Sequence, residues 1–137
     1  VLDVDAAGAP MPVGLTANAM VESLSQFGFS IRSVSVDMSR LRDEGIPAIV
    51  SFLRERIPAD IERVIIGTAA ITDFQDQDGF LVKVNASVSA VDLASGNVLY
   101  RASGVKNARS RTADRAIATA FEEIGRQLAG ELAANLP

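Results

Sequence analysis

The chain has 137 residues, 48% hydrophobic and 22% charged, which is enough apolar surface for one packed core and too much for a disordered chain. A net charge of −4 and a pI near 4.8 exclude the overall basic field of a general nucleic-acid binder. There is no His and no Cys, which removes imidazole catalysis, thiol chemistry, disulfides and the usual zinc ligand sets.

No apolar stretch reaches the length needed to span a bilayer. The chain begins at Val1 rather than Met, so a further N-terminal segment is expected in the gene product, such as a signal peptide or a lipoprotein leader. Residues 1–137 are read as a single domain.

Val1 to Val4 reads as a short strand, and Ala6 to Gly14 as a loop rich in Gly and Pro. Leu15 to Phe27 has helical spacing, with Ala17, Met20, Val21, Leu24 and Phe27 on one face, and Gly28 as the residue that closes it. A short strand is expected within Phe29 to Val36, and a helical turn within Ser39 to Gly45. Pro47 suits the first turn of a second helix lined by Ile49, Phe52, Leu53 and Ile57 and stopped by Pro58.

Arg63 to Thr72 is nearly continuous in apolar and β-branched residues, which predicts a central strand buried on both faces. Gln75 to Gly79 is a polar turn. From Phe80 to Val91 the period of two is unbroken: Phe80, Val82, Val84, Ala86, Val88 and Ala90 alternate with the other face. Ser95-Gly96 turns the chain into a further strand over Val98 to Val105. Thr112 is the expected N-cap of a long last helix, with Asp114 in its first turn and an apolar stripe of Ala113, Ile117, Phe121, Ile124, Leu128 and Leu132. The order is β-α-β-α-β-β-β-α, an α/β (α+β) domain with a mixed sheet, an antiparallel meander and a C-terminal helix packed on it.

Several segments invite a chemical reading. Asp73, Asp76 and Asp78 before Gly79 suggest a calcium loop, but such a loop needs oxygen ligands where Phe74 and Asn85 stand, so an acidic hairpin tip is expected instead. The loop from Ala7 to Gly14 lacks the Lys-Ser/Thr ending and the glycine spacing of phosphate loops, and its two prolines remove N–H donors. Lys106, Arg109, Arg111 and Arg115 cluster in sequence about the start of the last helix and form a candidate anion- or partner-binding group. Among the remaining Asp, Glu, Lys, Ser and Tyr100, no spacing specifies acid–base work and no nucleophile elbow exists. No catalytic residue, metal ligand or cofactor site is assigned.

The second half carries a family pattern. Arg63-Val-Ile-Ile-Gly67, the alternating run from Val82 to Ala90, the turn Val91-Asp92-Leu-Ala-Ser-Gly96, Gly104, and the Ala-rich helix ending Gly125-Arg-Gln-Leu-Ala-Gly-Glu-Leu132 resemble bacterial envelope lipoprotein domains. The pattern is similar to those of the curli-secretion protein CsgG, the penicillin-binding-protein activator LpoB and the middle domain of the flagellar protein FlgT, which share a fold like the N-terminal domain of TolB.

That resemblance implies a non-enzymatic periplasmic module of a lipoprotein, without cofactors. Its partners would be other envelope proteins or further copies of itself, with no nucleic acid and membrane contact only through a lipid anchor. The alternatives are a small-molecule or nucleotide-binding domain that uses the cleft beside the first strand and the Gly8 to Gly14 loop, and an auxiliary component of an envelope transport system. Val1 to Val4 or Val98 to Val105 is expected to offer an open sheet edge.

Overall fold

A computed structural model describes residues 1–11, 14–31, 44–58 and 60–136. Their elements run β1 (Leu2–Val4), α1 (Leu15–Gln26), α2 (Ile46–Arg54), β2 (Arg63–Asp76), β3 (Phe80–Asp92), β4 (Val98–Ser110) and α3 (Ala113–Asn135). The four strands form one mixed sheet in the order β1-β2-β3-β4. β1 lies parallel to β2, and the other pairs are antiparallel.

Alternation along the strands sorts the side chains into two cores. On one face Ala69, Ile71, Val82, Val84, Ala86, Val88, Ala90 and Ala102 meet α1 and α3. The small strand residues leave room for Phe121, Ile124, Leu128 and Leu132, all fully buried, to press close to the sheet. The rows in between point the other way. There Ile66, Val91 and Leu93, with Val64 and Val98, are covered by Ile49, Val50 and Leu53 of α2.

The mixed α+β architecture with its meander and packed C-terminal helix is as expected, and so is Thr112, whose Oγ1 accepts the Arg115 N–H at 3.3 Å as N-cap. Gly28 also closes α1 as expected. Its φ is +93°, and the bonds from Gly28 N–H to Ser25 O and from Phe29 N–H to Leu24 O complete a Schellman turn.

Other expectations are corrected. Phe27 is 59% exposed, and the buried face of α1 is Thr16, Ala19, Met20 and Leu24. The reason is α3: α1 turns Thr16 and Ala19 toward Gly125, which rotates the apolar stripe away from Phe27. Phe29 to Ile31 form no strand, and the rest of that expected strand, like most of the turn expected at 39–45, lies outside the described residues.

β2 and β4 run to Asp76 and Ser110, beyond the expected ends at Thr72 and Val105. Ladder pairing with β3 holds these polar extensions, from Asp76 opposite Phe80 to Phe80 opposite Ser110. β2 is buried on both faces only near its start, because α2 reaches no further than the Val64–Ile66 rows and Thr68 is exposed.

Candidate functional site

At the start of β2, between α1, α2 and the chain after Gly28, lies a cavity of ≈ 670 Å³. Its walls are mainly apolar, including Met20, Leu24, Phe29, Leu53, Ile57 and Ile65, and Asp60, Glu62 and Arg63 stand among them. The size suits a small ligand. The described residues of the expected Gly8 to Gly14 loop take no part in it; the chain before α1 contributes only Val1, at the other end of β1 from that loop.

That loop is closed on itself. Asp5 Oδ1 accepts the N–H groups of Ala7 and Ala9, each at 2.9 Å, and Asp5 O accepts from Gly8 N–H. Donors engaged in this way are not free to cradle a phosphate, which agrees with the sequence reading of the loop as a connector.

The four basic residues singled out in the sequence do not form one patch. Lys106 and Arg109 belong to β4, opposite Val84 and Leu81 respectively, and so project from opposite faces of the sheet. Arg109 is exposed and its Nη1 approaches Asp78 O at 3.5 Å. Arg111 is exposed in the short link, and Arg115 stands exposed in the first turn of α3. A cation there opposes the helix dipole, while Asp114 beside it complements the dipole.

At the acidic tip Asp73 pairs across the ladder with Lys83 and also accepts from Gln75 Nε2 at 3.0 Å. Asp78 and Gly79 make the turn with φ of +54° and +102°. Among the described residues no group of three or more acidic side chains is placed to hold a metal ion.

Two features escaped sequence reading. Arg54, at the end of α2, donates from Nε to Leu93 O at 2.6 Å and from Nη2 to Ala94 O at 3.2 Å, which ties α2 to the β3–β4 turn. Its place in the sequence looks like an ordinary C-terminal helix cation. Asp3 is the second. It is 1% exposed, accepts the Thr16 N–H and thereby caps α1 from β1, because the N-cap residue Gly14 has no side chain to do so. Burial raises the Asp3 pKa, with hydrogen bonding around Thr16 and Leu15 pulling the other way. Asp3 Oδ1 and Thr16 Oγ1 have no hydrogen-bond partner among the described residues.

Below α2 no described helix covers this face of the sheet, and exposed Thr68, Ser87 and Ser103 align in one row. β4 forms the outer edge, and it carries Leu99 (38% exposed) and Val105 (49% exposed). No described helix is long and apolar enough to cross a membrane, a finding that does not bear on β-barrels.

These elements define a class: a mixed α+β scaffold whose one sheet is packed against α1 and α3 on one face and, among the described residues, covered by α2 over only one end of the other. The chain belongs to the TP0693-like lipoprotein C-terminal domain family, which matches it over residues 1–133. The lipoprotein reading of the sequence therefore holds at family level.

Among solved structures, the fold is similar to that of the PelC dodecamer from Paraburkholderia phytofirmans, with a TM-score of 0.63, 11% identity, and coverage of 94% of this chain and 81% of that one. It is also similar to the hypothetical protein CT253 from Chlamydia trachomatis, with a TM-score of 0.51, 13% identity, and coverage of 98% and 94%. At these identities the likeness is one of fold. A comparison with curated protein sequences finds no match.

Proposed function

We propose that the domain is a non-enzymatic interaction and assembly module of the bacterial cell envelope. It would work in the periplasm as part of a lipoprotein held at the outer membrane by a lipid on a segment before residue 1. The observation that carries this reading is the match to a lipoprotein domain family over nearly the whole chain. The likeness to CsgG, LpoB and the FlgT middle domain, with their TolB-like fold, belongs to the same reading.

Self-association is the mode of action proposed first. PelC, which shares this fold, is a dodecamer, and the domain offers an open sheet edge and, below α2, a sheet face that no described helix covers. Partners from the same compartment could use the same surfaces.

The test is to express the full-length gene product in its native host with labelled fatty acid, fractionate the envelope and cross-link intact cells. The expected result is acylated protein in the outer-membrane fraction, cross-linked to itself or to another envelope protein. Soluble, unacylated protein in the cytoplasm would defeat the proposal.

A second reading, a binding domain for an apolar small molecule, is favoured by the apolar cavity at the start of β2. A native-state ligand must raise the thermal midpoint, so a thermal-shift screen that includes fatty acids and nucleotides decides it.

A further inference from the structure

The two edges of the sheet differ. β1 is three residues long and its outer side is occupied: Val4 bridges to Pro10, and Met11 N–H donates to Asp3 O at 2.9 Å. β4 is 13 residues long, contains no proline, and pairs on its outer side with nothing among the described residues. A long, unpaired edge is a template for another strand unless something blocks it.

Among the described residues, two of the four exposed large hydrophobic residues, Leu99 and Val105, lie on this strand. Val105 aligns with Asn85 on the face away from α3. Leu99 is the extra residue of a bulge, since Val91 pairs with Val98 and Ala90 with Tyr100. Tyr100 packs beneath α3 and Val98 toward α2, so regular alternation along β4 begins at Leu99, on the face away from α3.

We propose that the outer edge of β4 is a self-association surface, where a second copy adds its own β4 antiparallel about a two-fold axis at Ala102. The inference deepens the assembly reading and rests on it. Centred on Ala102, the pairing sets Leu99 of each copy opposite Val105 of the other, so both exposed apolar side chains are covered twice over.

The same register sets Tyr100 opposite Gly104 on the face that α3 covers, where Gln127 and Ile124 already stand over Gly104, so the side chains that meet between copies are those of the other face. The basic residues of β4, which ordinarily discourage edge pairing, never meet one another. Arg101 falls opposite Ser103, while Lys106 and Arg109 lie beyond the paired stretch from Leu99 to Val105.

Neighbouring registers fit less well. Centring on Ser103 sets Val105 against Arg101 and Leu99 against Asn107, and centring on Val105 sets Arg101 against Arg109. The partner chosen by these residues is thus a second copy of this chain in one register.

The chain has no Cys, so thiols can be placed at will. The double variant Leu99→Cys/Val105→Cys, treated with a short thiol cross-linker, is expected to give a covalent dimer. Either single variant is expected to give none, because like positions then lie six residues apart, roughly 20 Å.

In parallel, Leu99→Asp and Val105→Asp should each weaken association about tenfold or more by light scattering. Both positions are exposed, so the thermal midpoint should hold. Wild-type protein that stays monomeric at high concentration would overturn the proposal. Assembly that persists in the Asp variants, with no dimer from the Cys pair, would overturn it too while leaving the assembly reading intact. Absence of any cross-linked partner in cells would remove both.

Discussion

Asp3 and Thr16 meet in the interior: Asp3 Oδ2 accepts the Thr16 backbone N–H at 3.1 Å, and neither residue is more than 1% exposed. A carboxylate at the start of α1 complements the helix dipole, yet burial outweighs this and raises its pKa above 3.8. The folded state therefore holds the Asp3 proton more tightly than the unfolded chain does. The stability this contributes is fully present below the unfolded value near 3.8 and is lost as pH rises through the higher folded value. Asp3→Asn keeps an oxygen for the Thr16 N–H and abolishes the titration. Its stability relative to wild type should increase from pH 3 to pH 7, measured as the difference in chemical-denaturation free energy. A difference that stays flat or falls over this range would show that Asp3 does not titrate as argued.

Gly125 and Gly130 sit five residues apart on α3, on different sides of the helix, and should respond oppositely to the same change. A Cβ at Gly125 would lie 2.7 Å from Thr16 O and 3.0 Å from the Ala19 side chain, whereas Gly130 has open space. Gly125→Ala should cost about 1–3 kcal/mol through displacement of α1. Gly130→Ala should gain up to about 1 kcal/mol from helix propensity. Paired urea melts measure both.

Arg54 holds α2 against the sheet through two carbonyl oxygens of the β3–β4 turn. Arg54→Ala should destabilise by about 1–3 kcal/mol, since Leu93 O loses its charged donor in a partly buried place. Arg54→Lys should recover little, because a single ammonium cannot reproduce two diverging bonds. Denaturant midpoints for the two variants, read against wild type, decide it.

Arg109 and Arg111 are exposed, and charge reversal at both should leave the thermal midpoint nearly unchanged, within about 0.5 kcal/mol of wild-type stability. If they face an acidic partner, the double variant should lose that partner in envelope cross-linking. Unchanged cross-linking would remove them from any binding role.

Thr112→Ala removes the only side-chain cap found for a helix among the described residues whose cap lies beside it in sequence. The expected cost is about 1 kcal/mol, with hydrogen exchange quickening first in the opening turn of α3.

Much of this was legible in the sequence, because the signals are local. The period of two from Phe80 to Val91 fixed both β3 and its buried face, and Thr112 and Gly28 fixed helix ends by backbone chemistry alone. The scaffold's family pattern lies in the same segments. What tertiary structure decided depends on residues far apart in the chain. Pairing across the ladder extended β2 and β4 through polar residues that have no strand signal, and so carried Lys106 and Arg109 onto opposite faces of β4, dividing a group contiguous in sequence. Packing of α3 at Gly125 chose which face of α1 is buried. Asp3 became the cap of a helix that starts 12 positions later only because β1 delivers it there. Hydrophobic periodicity reports which side of an element turns inward, but a hydrogen bond or a close approach between distant segments leaves no periodic trace.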